Sequence, residues 1–374
     1  MTSQIRTLIF LLIAMTMTAP TSADAAGRIQ KARLEAIEGH LQKEVDDGVR
    51  AGFVAAVIHD NRVVYETSVG LADRDAKRPM SAETRFRIAS MTKPITTVAA
   101  MILIEDGDLL LSDPVSRYIP AFGDLKVITE NKADADGAFT TEPLATPLTV
   151  RHLMTHTAGL GYLFDSESDL GKAHLALAAE NTEGDLGARI DKLAALPLYE
   201  QPGQTWRYSF ATDVLGRVVE AASGQSLEAF MKARIFDPLR MADTEFFIDD
   251  TDFERLATVY TFDETGVLQR AGAGGLSGGP NDQAFGWASG GGGLVSTARD
   301  YARFMMMLLN DGALDGARVL SPASVRLMLS DQLPPHVRPD DWNERGMTFG
   351  LGGWVLEKPG RFGGVAAPGQ YGWG

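Results

Sequence analysis

FRIASMTKPITTVAAMILIEDG, residues Phe86 to Gly107, passes from a polar approach into an apolar helical pattern and sets a lysine three residues after a serine at the changeover. Residues three apart on a helix share a face, so Ser90 and Lys93 can touch once a helix begins at or just before Ser90. Pro94 fits the first turn of that helix, where its missing N–H costs nothing, and its ring fixes the backbone beside the pair. Beyond it, Val98, Met101, Ile102 and Leu109 make the flanks apolar, which draws Lys93 into a semi-buried setting. Desolvation lowers the proton affinity of such a lysine and makes it a base. A serine hydroxyl is a weak nucleophile until a neighbouring base takes its proton, which a neutral amine one turn away can do. The backbone N–H of Ser90, at a helix start, is placed to stabilise an oxyanion. The competing reading of a serine before a helix is an ordinary N-cap, and S-x-x-K is a weak pattern alone.

The rest of the chain bounds the class. Its 374 residues, 45% hydrophobic and 22% charged, suit one large domain or two intimate ones. The stretch 1–25 carries Arg6, an apolar run from Leu8 to Met17 and the small-x-small Ala23-Asp24-Ala25, the pattern of an export signal, and predicts an exported, periplasmic or secreted protein. That run is about half the roughly 20 residues a membrane-crossing helix needs, so no membrane span is expected. A formal net charge of −14 argues against nucleic acid or anionic lipid as partner. With no cysteine in the chain, disulfides, thiol chemistry, Cys-ligated metal and an acylated lipoprotein anchor are excluded.

Ile29, Ala32, Ile37, Leu41 and Val45 recur at helical spacing up to Gly48 and predict an amphipathic first helix. FVAAVIH, Phe53 to His59, and Val63 to Ser68 flank Asp60-Asn61-Arg62, which reads as a hairpin and an antiparallel sheet. Residues from about 110 to 285 look like a helical insert, with helices over Glu142 to Met154, Leu170 to Leu196 and Thr212 to Met231. Strand-like text returns at Thr348 to Leu356 (TFGLGGWVL), after a helix at Ala298 to Asn310 and before a glycine-rich turn at Lys358 to Gly364. The expected fold is α/β: an antiparallel sheet built from both ends of the chain, 26–110 and 285–374, flanked by helices, with 111–284 as a mainly helical domain. PGQYGWG halts as a strand begins, so the chain is expected to be truncated at its C-terminus and its sheet to lack strands.

SMTK, Ser90 to Lys93, resembles the active-site motif of the serine β-lactamase and penicillin-binding protein superfamily. Further resemblance lies in LTVRHLMTHTAGL (Leu148 to Leu160), PGQTWRYSFATDVLGRVVE (Pro202 to Glu220) and GGGGLVSTARDYARFMMMLL (Gly290 to Leu309), which look like the class C-like branch and span nearly all of the chain. The resemblance implies a β-lactamase/transpeptidase-like fold and maps the family's second motif onto Tyr208-Ser209-Phe210, with Tyr208 moving protons alongside Lys93. Phe210 replaces the asparagine usual in class C enzymes, which removes an amide expected to contact substrate. Lys-Thr-Gly is absent; the match in its place is the start of a Trp-Gly-Gly motif at Trp373-Gly374, as in the family VIII carboxylesterases. Tryptophan suits an apolar ester and offers no charge to a carboxylate. The resemblance places the second oxyanion N–H just beyond Gly374.

Other patterns read as structure. Gly275-Leu276-Ser277-Gly278-Gly279 matches G-x-S-x-G but runs into Pro280 where an elbow needs a helix. His152 and His156 lack the glutamate of H-E-x-x-H and read as a buried helix start, so no metal is expected. Lys132 to Gly137 fails as a calcium loop and reads as a solvated turn. Gly290 to Gly293 lacks the residues of a phosphate loop and is read as backbone passing close to the site. Met305 to Met307 with Phe304, Leu308 and Leu309 read as core. Trp206 and Trp287 adjoin signature motifs and fit pocket wall or packing equally.

The expectation is therefore a cofactor-free serine hydrolase that cleaves carboxylic esters through an acyl-enzyme on Ser90, with Trp373 and Gly374 at the substrate. The rivals are a class C-like β-lactamase or D-amino-acid peptidase acting on cell-wall peptides, and a non-catalytic penicillin-recognising binding protein. Small-molecule esters or β-lactams are the expected partners; acyl length and oligomeric state are left open.

Overall fold

The computed structural model describes residues 31–179, 185–271 and 287–374. The signal-like stretch 1–25 and the G-x-S-x-G at Gly275 to Gly279 lie outside them. Helix α1, Lys31–Asp46, lies against a hairpin of β1, Gly52–His59, and β2, Arg62–Asp73, to which β3, Arg78–Pro79, adds an edge. The turn is tight because Asp60 and Asn61 both take positive φ, 49° and 56°, the twist a two-residue hairpin needs.

Strand β4, Phe86–Arg87, leads through a 3-10 turn at Ala89–Met91 into α2, Thr92–Asp106. Every residue of α2 from Thr92 to Leu103 is buried, as in a helix enclosed on all sides at the centre of a core, with Thr92, Lys93, Thr96 and Thr97 as its polar members. It stops where Gly107, at φ 86°, turns left-handed and donates its N–H back to Ile104 and Leu103.

The middle of the chain carries strands as well as the helices expected there. Strands β5, Lys126–Ala133, and β6, Phe139–Pro143, form a hairpin whose turn is held by Asp134, which accepts the Asp136 and Ala138 N–H groups at 2.9 Å each. Helix is therefore absent from most of Glu142 to Met154. Pro143 and Pro147 interrupt it, and only α3, Val150–Met154, forms, started by a capping box between Thr149 and His152. Helices α4, Asp169–Ala179, and α5, Leu186–Ala194, follow, then α6, Ala211–Ser223, and α7, Leu227–Met231, which continues through a π-turn into α8, Asp237–Leu239. A further hairpin, β7 Tyr260–Phe262 with β8 Leu268–Arg270, precedes β9, Val295–Ser296, and α9, Ala298–Leu309. On α9, Phe304, Met306 and Met307 are core, but Met305 and Leu309 are 45% and 70% exposed, which corrects the reading of the whole run as buried.

After a short hairpin of β10, Ala313–Leu314, and β11, Ala317–Arg318, come α10, Pro322–Met328, and α11, Asp340–Glu344. The strand-like TFGLGGWVL holds two strands: β12, Met347–Phe349, turns at Gly350 to Gly353 into β13, Trp354–Leu356, and β14, Tyr371–Gly372, joins its other edge. Among the described residues β1-β2-β3 and β12-β13-β14 form two three-stranded antiparallel sheets, and β4 from the first segment pairs antiparallel with β9 from the last. Helix α9 packs on β1, and one apolar core runs from Ile88 and α2 through Val150, Val214 and Phe304 to Leu351. Among the described residues no helix is long and apolar enough to cross a membrane.

Candidate active site

Ser90 lies in the 3-10 turn that opens α2, just after Ala89, whose φ of 44° is left-handed. Lys93, one turn on, is 1% exposed and reaches Ser90 Oγ with its Nζ at 3.2 Å. The same Nζ donates to the Gly291 carbonyl at 2.6 Å, so the amine is held between the glycine run and the hydroxyl. Burial brings the Lys93 pKa down to about 8, while the Asp213 carboxylate pulls the other way. This burial exceeds the semi-buried setting expected from the sequence.

Tyr208 arrives from across the cleft, its hydroxyl 2.5 Å from Ser90 Oγ. Its segment is extended and tied to the strip after α3. Tyr199 donates to Gly159 O at 2.7 Å, Gly203 to Thr157 O at 2.7 Å, Arg207 to His156 O at 2.8 Å and Phe210 to Gly161 O at 3.0 Å. The forked Arg207–Glu200 pair braces the same segment. Burial raises the Tyr208 pKa, so the phenol keeps its proton at neutral pH.

Around Tyr208 stands a group of rings. His156 lies 5.0 Å, Trp373 5.5 Å and Phe164 5.9 Å from it between centroids, the last two nearly parallel to it. Phe164 is 73% exposed, unusual for so apolar a ring, and Trp342 and Phe349 continue the cluster through Trp206. The indole N–H groups of Trp206 and Trp373 are both buried without a hydrogen-bond partner; that of Trp373 lies close enough to the phenol to favour its ionised form, but without hydrogen-bond geometry.

The structure thus brings Ser90, Lys93 and Tyr208 together and sets Trp373 against Tyr208; Gly374 is exposed and has no neighbour where a side chain would stand. His152 caps α3, accepting the Thr149 N–H at Nδ1. His156 is buried against Ser209 Oγ at 3.3 Å, and burial, then the Lys93 charge, lower its pKa well below the ordinary value, so it is neutral. Trp206 joins the ring cluster, whereas Trp287 packs beside Arg189, 5.7 Å from its guanidinium. Phe210 is buried against Tyr162.

Sequence reasoning missed Asp213. It is 2% exposed, and its carboxylate accepts Ser289 Oγ–H at 2.6 Å and Gly291 N–H at 3.0 Å. Burial raises its pKa, against the Lys93 charge and these two donors. A side chain at position 291 would run into this carboxylate, so glycine is required there. The available signal was an acid on the apolar face of α6, among Val214, Leu215 and Val218.

A buried lysine and a phenol converging on a serine at the mouth of a core helix define a β-lactamase/transpeptidase-like site and fold. The chain belongs to the Beta-lactamase family, which matches residues 37–374. It is similar to Protein Rv1367c of Mycobacterium tuberculosis, 36% identical over 346 residues, which cover 91% of this chain and 83% of that one. Esterase EstB of Burkholderia gladioli is 37% identical over 243 residues, covering 64% of this chain and 57% of EstB. Among solved structures, EstCE1, described as a hydrolase with promiscuous acyltransferase activity, superposes with a TM-score of 0.74 at 30% identity, covering 91% of this chain and 87% of its own.

Proposed function

We propose that the protein is a serine carboxylesterase that acylates Ser90. The observation that carries this reading is the Lys93 amine at 3.2 Å and the Tyr208 hydroxyl at 2.5 Å from one serine oxygen, with the amine's pKa brought down to about 8. Neutral Lys93 takes the Ser90 proton as Oγ bonds to the ester carbonyl carbon, and the carbonyl electron pair moves onto oxygen, toward the Ser90 backbone N–H. Collapse expels the alkoxide, which takes the phenol proton of Tyr208; the Lys93 ammonium replaces it. A water then attacks the acyl-enzyme with the same groups acting in reverse. Tyr208 serves as a proton donor and relay rather than a standing phenolate, since burial raises its pKa.

Support for an ester over a charged β-lactam comes from the apolar faces of Phe164, Trp206 and Trp373 around Tyr208, and from relatives described as an esterase and a hydrolase. Residues 1–25 support export, which fractionation of the native host tests by locating the protein.

The test compares initial rates on p-nitrophenyl butyrate and nitrocefin, with Ser90→Ala as control. The expected result is a dominant ester rate that vanishes in the variant and rises with pH to a plateau above about 8, as Lys93 loses its proton. A dominant nitrocefin rate would replace the esterase reading with the β-lactamase one.

A further inference from the structure

Asp213 takes no part in the bond changes above, yet it stands directly behind the base. It accepts two hydrogen bonds from the glycine run, Ser289 Oγ–H at 2.6 Å and Gly291 N–H at 3.0 Å, and Gly291 in turn presents its carbonyl to Lys93 Nζ at 2.6 Å. A continuous chain therefore runs from Asp213 through the loop to Lys93 and on to Ser90 Oγ at 3.2 Å. We propose that Asp213 is a positioning residue: it fixes the loop carbonyl that aims Lys93 at Ser90, and its charge keeps the amine basic enough to accept the serine proton. The proposal rests on the esterase reading, in which Lys93 is the base.

The physical need is specific. Desolvation alone would drive a lysine this deeply buried to a very weak base, and a weak base captures a hydroxyl proton poorly. Lys93 is faced by the rings of Tyr208 and Tyr162, its Nζ 4.7 Å and 5.6 Å from their centroids, by the Ser90 hydroxyl and by neutral His156. The carboxylate that opposes its desolvation is that of Asp213, beyond which lies Arg189. Two effects are therefore combined in one group: charge sets the proton affinity, and hydrogen bonding sets the direction.

The experiment measures how fast a fluorophosphonate labels Ser90 as pH is varied, read by intact mass. In that reaction Ser90 Oγ bonds to phosphorus, fluoride departs with the bonding pair, and the serine proton passes to Lys93. Asp213→Asn keeps an acceptor oxygen for Ser289 and Gly291 but removes the charge. Its acid limb is expected to shift about 1 pH unit lower, with a plateau at least about tenfold slower. Ser289→Ala keeps the charge and loosens the loop, so it is expected to label about threefold or more slowly with the limb in place. A group that merely held the fold together would lower the melting temperature without moving the limb. An Asp213→Asn profile that superimposes on the wild type overturns the proposal, as does a folded Ser289→Ala that labels at the wild-type rate. Should Asp213→Asn not fold, the Ser289→Ala arm decides alone. Wild-type protein that takes no label at Ser90 defeats the esterase reading and this proposal with it; label on the wild type with unaltered variants defeats this proposal only.

Discussion

At Lys93 an amine with 1% exposure stands in a core helix between Ile95, Val98 and their neighbours, where an apolar side chain would be more stable. Its ordinary pKa of 10.5 falls to about 8 on folding. Between those values the unfolded chain binds more protons than the folded one, so the lysine's stability penalty stands in full below about pH 8 and fades as pH rises toward 10.5. Lys93→Met, close in volume, removes the penalty at the cost of leaving the Gly291 carbonyl without its donor. The variant is expected to lose esterase activity while gaining about 1–2 kcal/mol at neutral pH, a gap that narrows as pH rises through that window. Urea titrations of both proteins near pH 7 and pH 10 check this; a destabilised variant, or a gap independent of pH, would contradict it.

The 3-10 turn before α2 holds a second departure from the most stable local choice. Ala89 has φ 44°, a left-handed conformation that costs an alanine about 1–2 kcal/mol, one residue before the serine. Ala89→Gly relieves that cost but gains freedom in the unfolded chain, so stability is expected to rise by no more than about 1 kcal/mol. Turnover is expected to fall severalfold, because Ser90 is then less firmly held. Thermal melts and initial rates measure the two effects; a loss of stability above about 1 kcal/mol would show that the turn is unstrained. What was legible in the sequence at this scale follows from pattern strength. The apolar run around α2, the turn residues Asp60 and Asn61, and the α9 periodicity each have one local explanation. The β5–β6 hairpin was not legible because KVITENKA mixes polar side chains along a largely exposed ladder. TFGLGGWVL was legible as strand-like, but its apolar residues hid the reversal at Gly350 to Gly353. Asp213 escaped because an acid in the first turn of a helix is an ordinary complement to the helix dipole, and its partners lie more than seventy residues away. Ser90, Lys93 and Tyr208 were found by motif, whereas the ring cluster from Phe164 to Trp373 exists only once the chain is folded.

Three distant segments meet around the active-site turn, and Arg85 ties them. Its side chain is 4% exposed and pairs with Asp243 at 2.9 Å, with Glu245 and with Asp252 at 3.3 Å. Its backbone N–H bonds Arg255 O at 2.9 Å, and the next residues, Phe86 and Arg87, pair with Ser296 and Val295 in β9. Ile88 N–H reaches Leu294 O at 3.0 Å and Leu294 N–H reaches Thr92 Oγ1 at 3.2 Å, which joins the knot to both the Ser90 turn and the glycine run that holds Lys93. Removing one partner of a buried ion cluster leaves its opposite charges uncompensated, at a typical cost of 3–5 kcal/mol. Here Arg255 still pairs with Asp243 at 2.8 Å and Asp252 at 3.7 Å, and all three carboxylates keep about a third of their side-chain surface in water, so Arg85→Ala is expected to cost less than about 3 kcal/mol. The exposed Lys232–Asp237 pair, with side chains 67% and 60% accessible, provides the contrast: Lys232→Ala is expected to leave the urea midpoint unmoved. Because Arg85 touches no reacting group, the Arg85→Ala protein that remains folded at low temperature is expected to keep near wild-type turnover and lose activity in step with its unfolding as temperature rises. Turnover lost while circular dichroism still reports the native fold would mean instead that the ion cluster sets the geometry of Ser90 as well as holding the segments together.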